Sequence, residues 1–529
     1  MTTSRSDIPL KPYYGPPEVA PRAGAGETPG SYPYTRGRHR PSQARHGWIH
    51  RELSGEGDAR RSNEQIKYLI GIGQMGVDVI GDSPTQSMID PDHPLVKHSV
   101  GTQGVSLCAR DDYLALYAGI PFDKVSVSSS VPSVFSLSGL ALALRECGFP
   151  CAQVRGSVLQ VPLYAEDCSY SVGMPFSLMN RLALDGMAFA AEHMPRFHAY
   201  VEDTYFFSET GLNGVEEMAL GFVEIRHLTR SLIARGVPVD AFAPRIAILV
   251  NCSMDFFEEI AKIRATRRIF ARMMKEEFGA QDPRSLSAAI SSHTSGLTLT
   301  AQQPANNIVR GAVQGMALAL AGVQAMEISA FDEGFRTPSA EAHLVGMRTQ
   351  QILELESGVG RVADPLGGSY YVEELTDRME HGILAMVRDI EAQGDALALA
   401  EAGYFRRLFE QASQRHYRSI SSGELKVVGV NCHQVAPEKD RLLRDVAEQK
   451  IAPDRQRIEA VGRLRRERNQ DPVRRALRRL HAAAATAENL IPVVIDATDA
   501  GATMGEMAGA MRLACGAAYD PRGCVRPDF

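Results

Sequence analysis

The sequence predicts an α/β fold, a closed TIM-type (β/α)8 barrel, on three observations. Seven short runs, apolar or nearly so, recur between residues 76 and 329 with helix-forming segments between them, the mark of parallel strands buried on both faces. At 529 residues the chain has room for one large barrel with added elements. Polar residues gather just after the apolar runs, where a barrel places its chemistry.

Residues 1–62 are rich in Pro, Gly, Arg and Ser and hold no apolar period, so they predict an extended N-terminal arm ordered by whatever it packs on, with Trp48 as its anchor. The barrel is expected over 63–423. Its strands read GVDVIGD (76–82), KVSVSSS (124–130), GSVLQV (156–161), HAYVED (198–203), RIAILVN (245–251), SAAISSH (287–293) and VQAMEIS (323–329). All but the third lead within a few residues into a helix, and an eighth strand has no clear candidate. The plainest helix is MDFFEEIAKIRATRRIFARMMK (254–275), where Phe256, Ile260, Ile263, Phe270 and Met274 keep helical spacing and the charges take the opposite face. VFSLSGLALALREC and NNIVRGAVQGMALALAG repeat that pattern. From 424 to 529, Arg, Glu and Ala at helical spacing predict a C-terminal helical extension with a solvated charged face.

Composition excludes several classes. A hydrophobic share of 44% and a charged share of 23% are those of a soluble globular protein, and a formal net charge of -6 argues against a general nucleic-acid binder. With no uncharged apolar stretch of about 18 residues and no leader-like N-terminus, no membrane association and a cytoplasmic location are expected. The eight cysteines form no CxxC pair, which predicts reduced, mostly buried thiols. Cys147 and Cys151 are four apart, but Gly148 and Pro150 break any helix between them, and no metal site is expected. Phosphate-cradling glycine motifs and the GxSxG elbow are missing from the sequence.

Among the polar strand ends, Ser253, Asp255 and the run Ser128 to Ser130 read as helix caps. Glu333 and His293 cap poorly and are site candidates instead. SETG (208–211) and FDEG (331–334) each set a glutamate beyond a strand end, so two carboxylates can approach the barrel mouth to grip a ribose diol or exchange protons. The first belongs to YFFSETG, whose tyrosine and two phenylalanines leave two readings open, a patch of core or the apolar wall of a reaction site.

Longer stretches carry a family likeness. SYPYTRG (31–37), GIPFDKVSVSSS (119–130), FAPRIAILVNCSMDFFEEIAKIRATRRIF (242–270), SSHTSGLTLTAQQPANNIVRGAVQGMA (291–316), SAFDEGFRTPS (329–339) and ESGVGRVADPLGGSYYVEELT (356–376) resemble the substrate-barrel subunit of the adenosylcobalamin-dependent acyl-CoA mutases, the methylmalonyl-CoA mutase family. The resemblance covers nearly the whole chain. It implies a radical 1,2-rearrangement of an acyl-CoA or other acyl substrate inside a barrel that shields radicals from solvent. It also implies adenosylcobalamin (coenzyme B12) as cofactor. Because the sequence contains no DxHxxG, the cofactor is expected to be bound mainly by a separate small cobalamin-binding subunit, in a dimer or heterotetramer. HTSG (293–296) is only a partial cobalamin motif, with Ser291 where an aspartate is expected, so His293 is read as a strand-end histidine.

Carried over position by position, the resemblance makes Glu209, Glu333, His293 and Tyr205 the catalytic candidates. Glu209 and Glu333 match the ribose-gripping glutamates, Ser329 stands at a family asparagine and His293 at a family glutamine. The substrate side departs. Leu53 stands where the family has the tyrosine that helps drive the adenosyl group off cobalt, and Ser169 where an arginine holds the methylmalonyl carboxylate. Leu159 and Phe206 replace the glutamine and histidine of the thioester carbonyl, and His46 an arginine of the coenzyme A tail site. Asp78 joins this set, and Arg51 and Arg245 remain arginines. Each lost donor to a buried carbonyl costs about 1–3 kcal/mol, and a lost arginine removes the grip on a free carboxylate. The expected substrate is therefore a branched or hydroxylated acyl group without a second carboxylate, and it need not be a coenzyme A ester. The same losses motivate an alternative, a catalytically altered or non-catalytic barrel homologue with a binding or regulatory role. A barrel hydrolase fits the polar strand ends but lacks a nucleophile motif.

Overall fold

The computed structural model describes residues 3–15, 27–40, 47–168, 173–440, 442 and 452–529. Eight strands follow one another around a closed barrel: β1 (Ile49–Ser54), β2 (Gly76–Val79), β3 (Ser126–Ser129), β4 (Gly156–Gln160), β5 (Phe197–Asp203), β6 (Ile246–Cys252), β7 (Ala289–Thr294) and β8 (Ala325–Glu327). The neighbours pair in parallel, and β1 returns to β8 with Arg51 opposite Glu327. All seven strands read from the sequence are present, most of them trimmed at the ends. The strand without a sequence candidate is β1, which lies inside the stretch read as an arm. Its IHRELS is too polar to resemble a buried strand, yet His50, Arg51, Glu52 and Ser54 are all buried.

Compactness groups the chain into two units, Met1–Glu52 with Glu202–Gln449 and Leu53–Val201 with Lys450–Phe529. This division runs across the compositional segments 1–62, 63–423 and 424–529.

In the first unit the arm lies on its own scaffold. Trp48 is buried and its Nε1 donates to Gln350 Oε1 at 3.3 Å, while the backbone of Arg5 and Ser6 donates to Asp255 Oδ2 and Glu258 Oε2 at 3.0 and 2.9 Å. The helix Phe256–Arg272 has both faces covered, the charged one included, since every residue from Glu258 to Ala271 is buried. Its cations meet carboxylates: Arg264 pairs with Asp364 and Glu373, and Arg268 with Asp377 and Glu380.

In the second unit the Ser133–Cys147 helix packs on the C-terminal helix Leu490–Asp499, and Leu137, Leu144, Val473, Leu477, Ile491 and Val494 share one core. The Arg-rich C-terminal segment thus buries its apolar stripe, with Arg457, Arg465 and Arg468 paired to Asp112, Asp90 and Glu506 and Arg512 buried against the Gly173 carbonyl.

Two smaller expectations are also corrected. Ser133–Cys147 starts at Pro132 with no side-chain cap, because Ser129 is committed to Ser136 and to the Val131 N–H. Ser253 likewise donates to Glu259 Oε1. Among the described cysteines only Cys108 and Cys252 are buried, and Cys147, Cys515 and Cys524 are exposed. No helix among the described residues is long and apolar enough to cross a membrane.

Candidate active site

Strand β5 ends in Glu202 and Asp203, and Asp203 Oδ1 accepts the Phe206 N–H at 3.1 Å, starting the one-turn helix Thr204–Ser208. That turn puts Tyr205, Phe206 and, at its C-cap, Glu209 at the C-terminal end of the strand, the chemical end of such barrels. Three donors fix the Glu209 carboxylate. Asn251 Nδ2 at the end of β6 and Ser295 Oγ beyond β7 donate to Oε1 at 3.0 and 2.7 Å, and the Leu297 N–H donates to Oε2 at 2.8 Å. Position 296 must be small, for a Cβ on Gly296 would sit 2.8 Å from Oε2. Burial raises the Glu209 pKa, and the Ser295, Leu297 and Asn251 hydrogen bonds pull it back.

His293 is buried near the end of β7, with Nε2 3.0 Å from Glu327 Oε2 on β8 and its ring edge-on to Tyr205 at 5.0 Å. Burial, followed by the charge of Glu209, pushes the Tyr205 phenol well above its ordinary range, so it stays protonated and able to donate. Glu333, in the turn after β8, is pushed up to about 6 by burial; His293 and His343 draw it down and Glu209 raises it. Ser329 spends its proton on the Thr294 carbonyl at 2.8 Å and its N–H on Thr294 Oγ1 at 2.8 Å, so it joins the ends of β7 and β8 and offers a ligand only its lone pairs. Glu209, His293, Tyr205, Ser329 and Glu333 therefore gather at the strand ends of one unit. The arrangement suits an uncharged polar ligand with several O–H donors.

The family model described as methylmalonyl-CoA mutase matches residues 3–517 of this chain. The chain belongs to the methylmalonyl-CoA mutase family. It is 34% identical over 506 residues to the 2-hydroxyisobutanoyl-CoA mutase large subunit of Aquincola tertiaricarbonis, covering 95% of this chain and 90% of that one. It is 32% identical to the methylmalonyl-CoA mutase of Cereibacter sphaeroides, over 96% of this chain and 72% of that one. With the Escherichia coli methylmalonyl-CoA mutase the identity is 31%, over 98% and 72%. These relatives are mutases, and this family member is an isomerase by the same membership.

The remaining residues carried over from the family fall in different places. Phe206 is half-buried, three residues before Glu209 in the same turn. Arg51 is buried on β1, whereas Arg245 precedes β6, about 20 Å of strand away from Asn251. There it neighbours Arg38, whose pKa is lowered to about 10 by burial and by the Arg245 charge. In the second unit Asp78 is buried on β2, while Leu53 on β1 and Leu159 on β4 are half-buried. Ser169 and His46 lie outside the described residues.

Sequence reasoning marks Asn251 only as one more polar strand end and misses Ser295 and the Leu297 N–H altogether. Their partner is 42 to 88 residues away, beyond any local pattern. Glu327 does leave a signal, an acid between the apolar Met326 and Ile328 of VQAMEIS.

Proposed function

We propose that this chain is the large subunit of an adenosylcobalamin-dependent carbon-skeleton mutase, acting with a separate small cobalamin-binding subunit on a hydroxylated or branched acyl-CoA without a second carboxylate. The observation that carries this reading is the Glu209 cradle, a carboxylate locked by three donors at the mouth and coupled to a second acid, Glu333.

The residues present fit the cofactor's ribose. Its two hydroxyls are donors, and a locked carboxylate is a strong acceptor that needs no reorganisation when the ligand arrives. Bound there, adenosylcobalamin supplies reversible hydrogen-atom abstraction. The chain's own residues orient and shield. Glu209 and Glu333 would hold the ribose, Tyr205 keeps its proton and can donate, and His293 lies against Glu327 at 3.0 Å. Apolar Phe206, in the turn that leads to Glu209, offers no donor to a carbonyl.

On the substrate side, the sequence has Ser169 where the family places its carboxylate-binding arginine, which favours a substrate without a second carboxylate. The 34%-identical relative named for a 2-hydroxyisobutanoyl-CoA substrate supports this direction. Its name, large subunit, supports the separate partner. The test combines the purified chain with its small subunit and adenosylcobalamin and follows Co(II) and organic-radical EPR signals as acyl-CoA esters are added. Signals with a 2-hydroxyacyl ester and none with methylmalonyl-CoA are expected. Silence across acyl-CoA and free-acid panels sinks the reading.

A further inference from the structure

The strand-end acids extend past Glu209 and Glu333 to a buried pair that the proposed chemistry does not use. Glu52 on β1 is 1% exposed and His343, in the helix Ala340–Gln351, is 3% exposed, with Oε1 and Nδ1 2.8 Å apart. The helix sits directly on this acid. A Cβ at Gly346, one turn beyond His343, would come within 3.0 Å of Glu52 Oε2 and 2.9 Å of the Ile328 carbonyl oxygen.

The same helix end holds the loop that carries Glu333. Ser339 caps the helix, its Oγ accepting the Ala342 N–H at 3.2 Å, and the Ser339 N–H donates to Asp332 Oδ2 at 3.1 Å. Glu333, next in sequence, donates its own N–H to the Ala330 carbonyl at 3.0 Å. An unbroken run of contacts leads from Glu52 through His343, the helix N-terminus, Ser339 and Asp332 to Glu333.

We propose that Glu52 and His343 are positioning residues for Glu333: the pair seats the N-terminus of the Ala340–Gln351 helix and with it the 331–339 loop, while His343 offsets the negative charge crowding Glu333. An apolar contact would seat the helix at lower desolvation cost, so a buried carboxyl–imidazole pair argues for an electrostatic role. The charges agree with the geometry. Glu52 is held well above its ordinary range by burial, then by Glu333 and Asp332, and His343 draws both Glu333 and Asp332 down. The other groups facing Glu333 are Glu209 and Tyr205 beyond β5 and His293 on β7, with Arg336 in its own loop beside Asp332.

The importance given to Glu333 rests on the proposed function, but the test needs only apoprotein, so failure of one leaves the other standing. The folded Glu333 carboxyl has a raised pKa, so its stabilising contribution is complete below about pH 4.5 and is lost as pH rises through about 6. Glu333→Gln should therefore gain thermal stability over the parent across that window and then level off. In a His343→Gln background the gain should continue to higher pH, and in a Glu52→Gln background, where a protonated acid gives way to a neutral amide, it should level off where it does in the parent. Hydrogen exchange of amides 331–343 should quicken about tenfold in His343→Ala and return toward the parent rate in His343→Gln. Should a single variant fail to fold, the Glu52→Gln/His343→Gln double variant keeps an amide pair in the same space, and there the window is expected to shift while exchange stays slow. A window that does not move in the His343→Gln background, or 331–343 exchange unchanged in His343→Ala, overturns the proposal.

Discussion

Glu209 shows how much of a site can rest on one carboxylate. Its oxygens can accept about four hydrogen bonds in all, and three are filled by Asn251, Ser295 and the Leu297 N–H, which leaves one direction for a ligand. In Glu209→Gln one oxygen becomes an NH2 group, and in either orientation that group faces a donor. The expected result is a loss of about 10- to 100-fold in kcat/KM, matching about 1.5–3 kcal/mol for a charge-assisted bond, with a melting temperature below that of the parent because a buried donor then faces the NH2. Steady-state kinetics of the reconstituted enzyme and calorimetry check the two halves separately. At this scale the sequence was half legible. A glutamate and a phenylalanine beside a strand end announced themselves in YFFSETG, but the donors that orient the glutamate came from β6 and the turn after β7, and no spacing in the sequence links them.

At the scale of elements, the helix Phe256–Arg272 and strand β6 are locked together by one buried cation. Lys262 Nζ lies 2.7 Å from Glu217 Oε2 and 2.6 Å from Glu259 Oε2, and it donates to the Asn251 carbonyl at 2.8 Å. Burial disfavours its charge, but Glu217 and Glu259 outweigh burial and hold the ammonium above its ordinary pKa. Glu217 Oε1 in turn accepts the Asn251 N–H at 2.9 Å, so the backbone that presents Asn251 to Glu209 hangs on this network. Lys262→Met leaves two buried carboxylates without their cation and should cost about 3–5 kcal/mol in urea unfolding, with a fall in activity beyond what the lost stability explains. The helical period of this segment is plain in the sequence. That its charged face would be covered is not, because the covering carboxylates Asp364, Glu373, Asp377 and Glu380 arrive about 100 residues later.

For the whole molecule, the chain is a member of the mutase family whose barrel ends β5 and β8 in acids, and its sequence holds no DxHxxG. In the proposed reading the cobalamin arrives on a partner. Size-exclusion chromatography with light scattering should then show the chain and a small cobalamin-binding subunit eluting as one heteromer when adenosylcobalamin is present. Separate elution under those conditions would leave Glu209 and Glu333 with no ribose to hold.

The sequence by itself determined the barrel, the order of seven strands and the two strand-end glutamates, because apolar runs, helical periods and polar strand ends are local properties that need no partner to be read. Only the tertiary structure decided where β1 lies and which polar side chains meet. IHRELS becomes a buried strand because His50 meets Glu354 and Glu52 meets His343, about 300 residues away for each. A buried charge is tolerable only when such a partner is in place, and closure of the barrel is what brings the partner there.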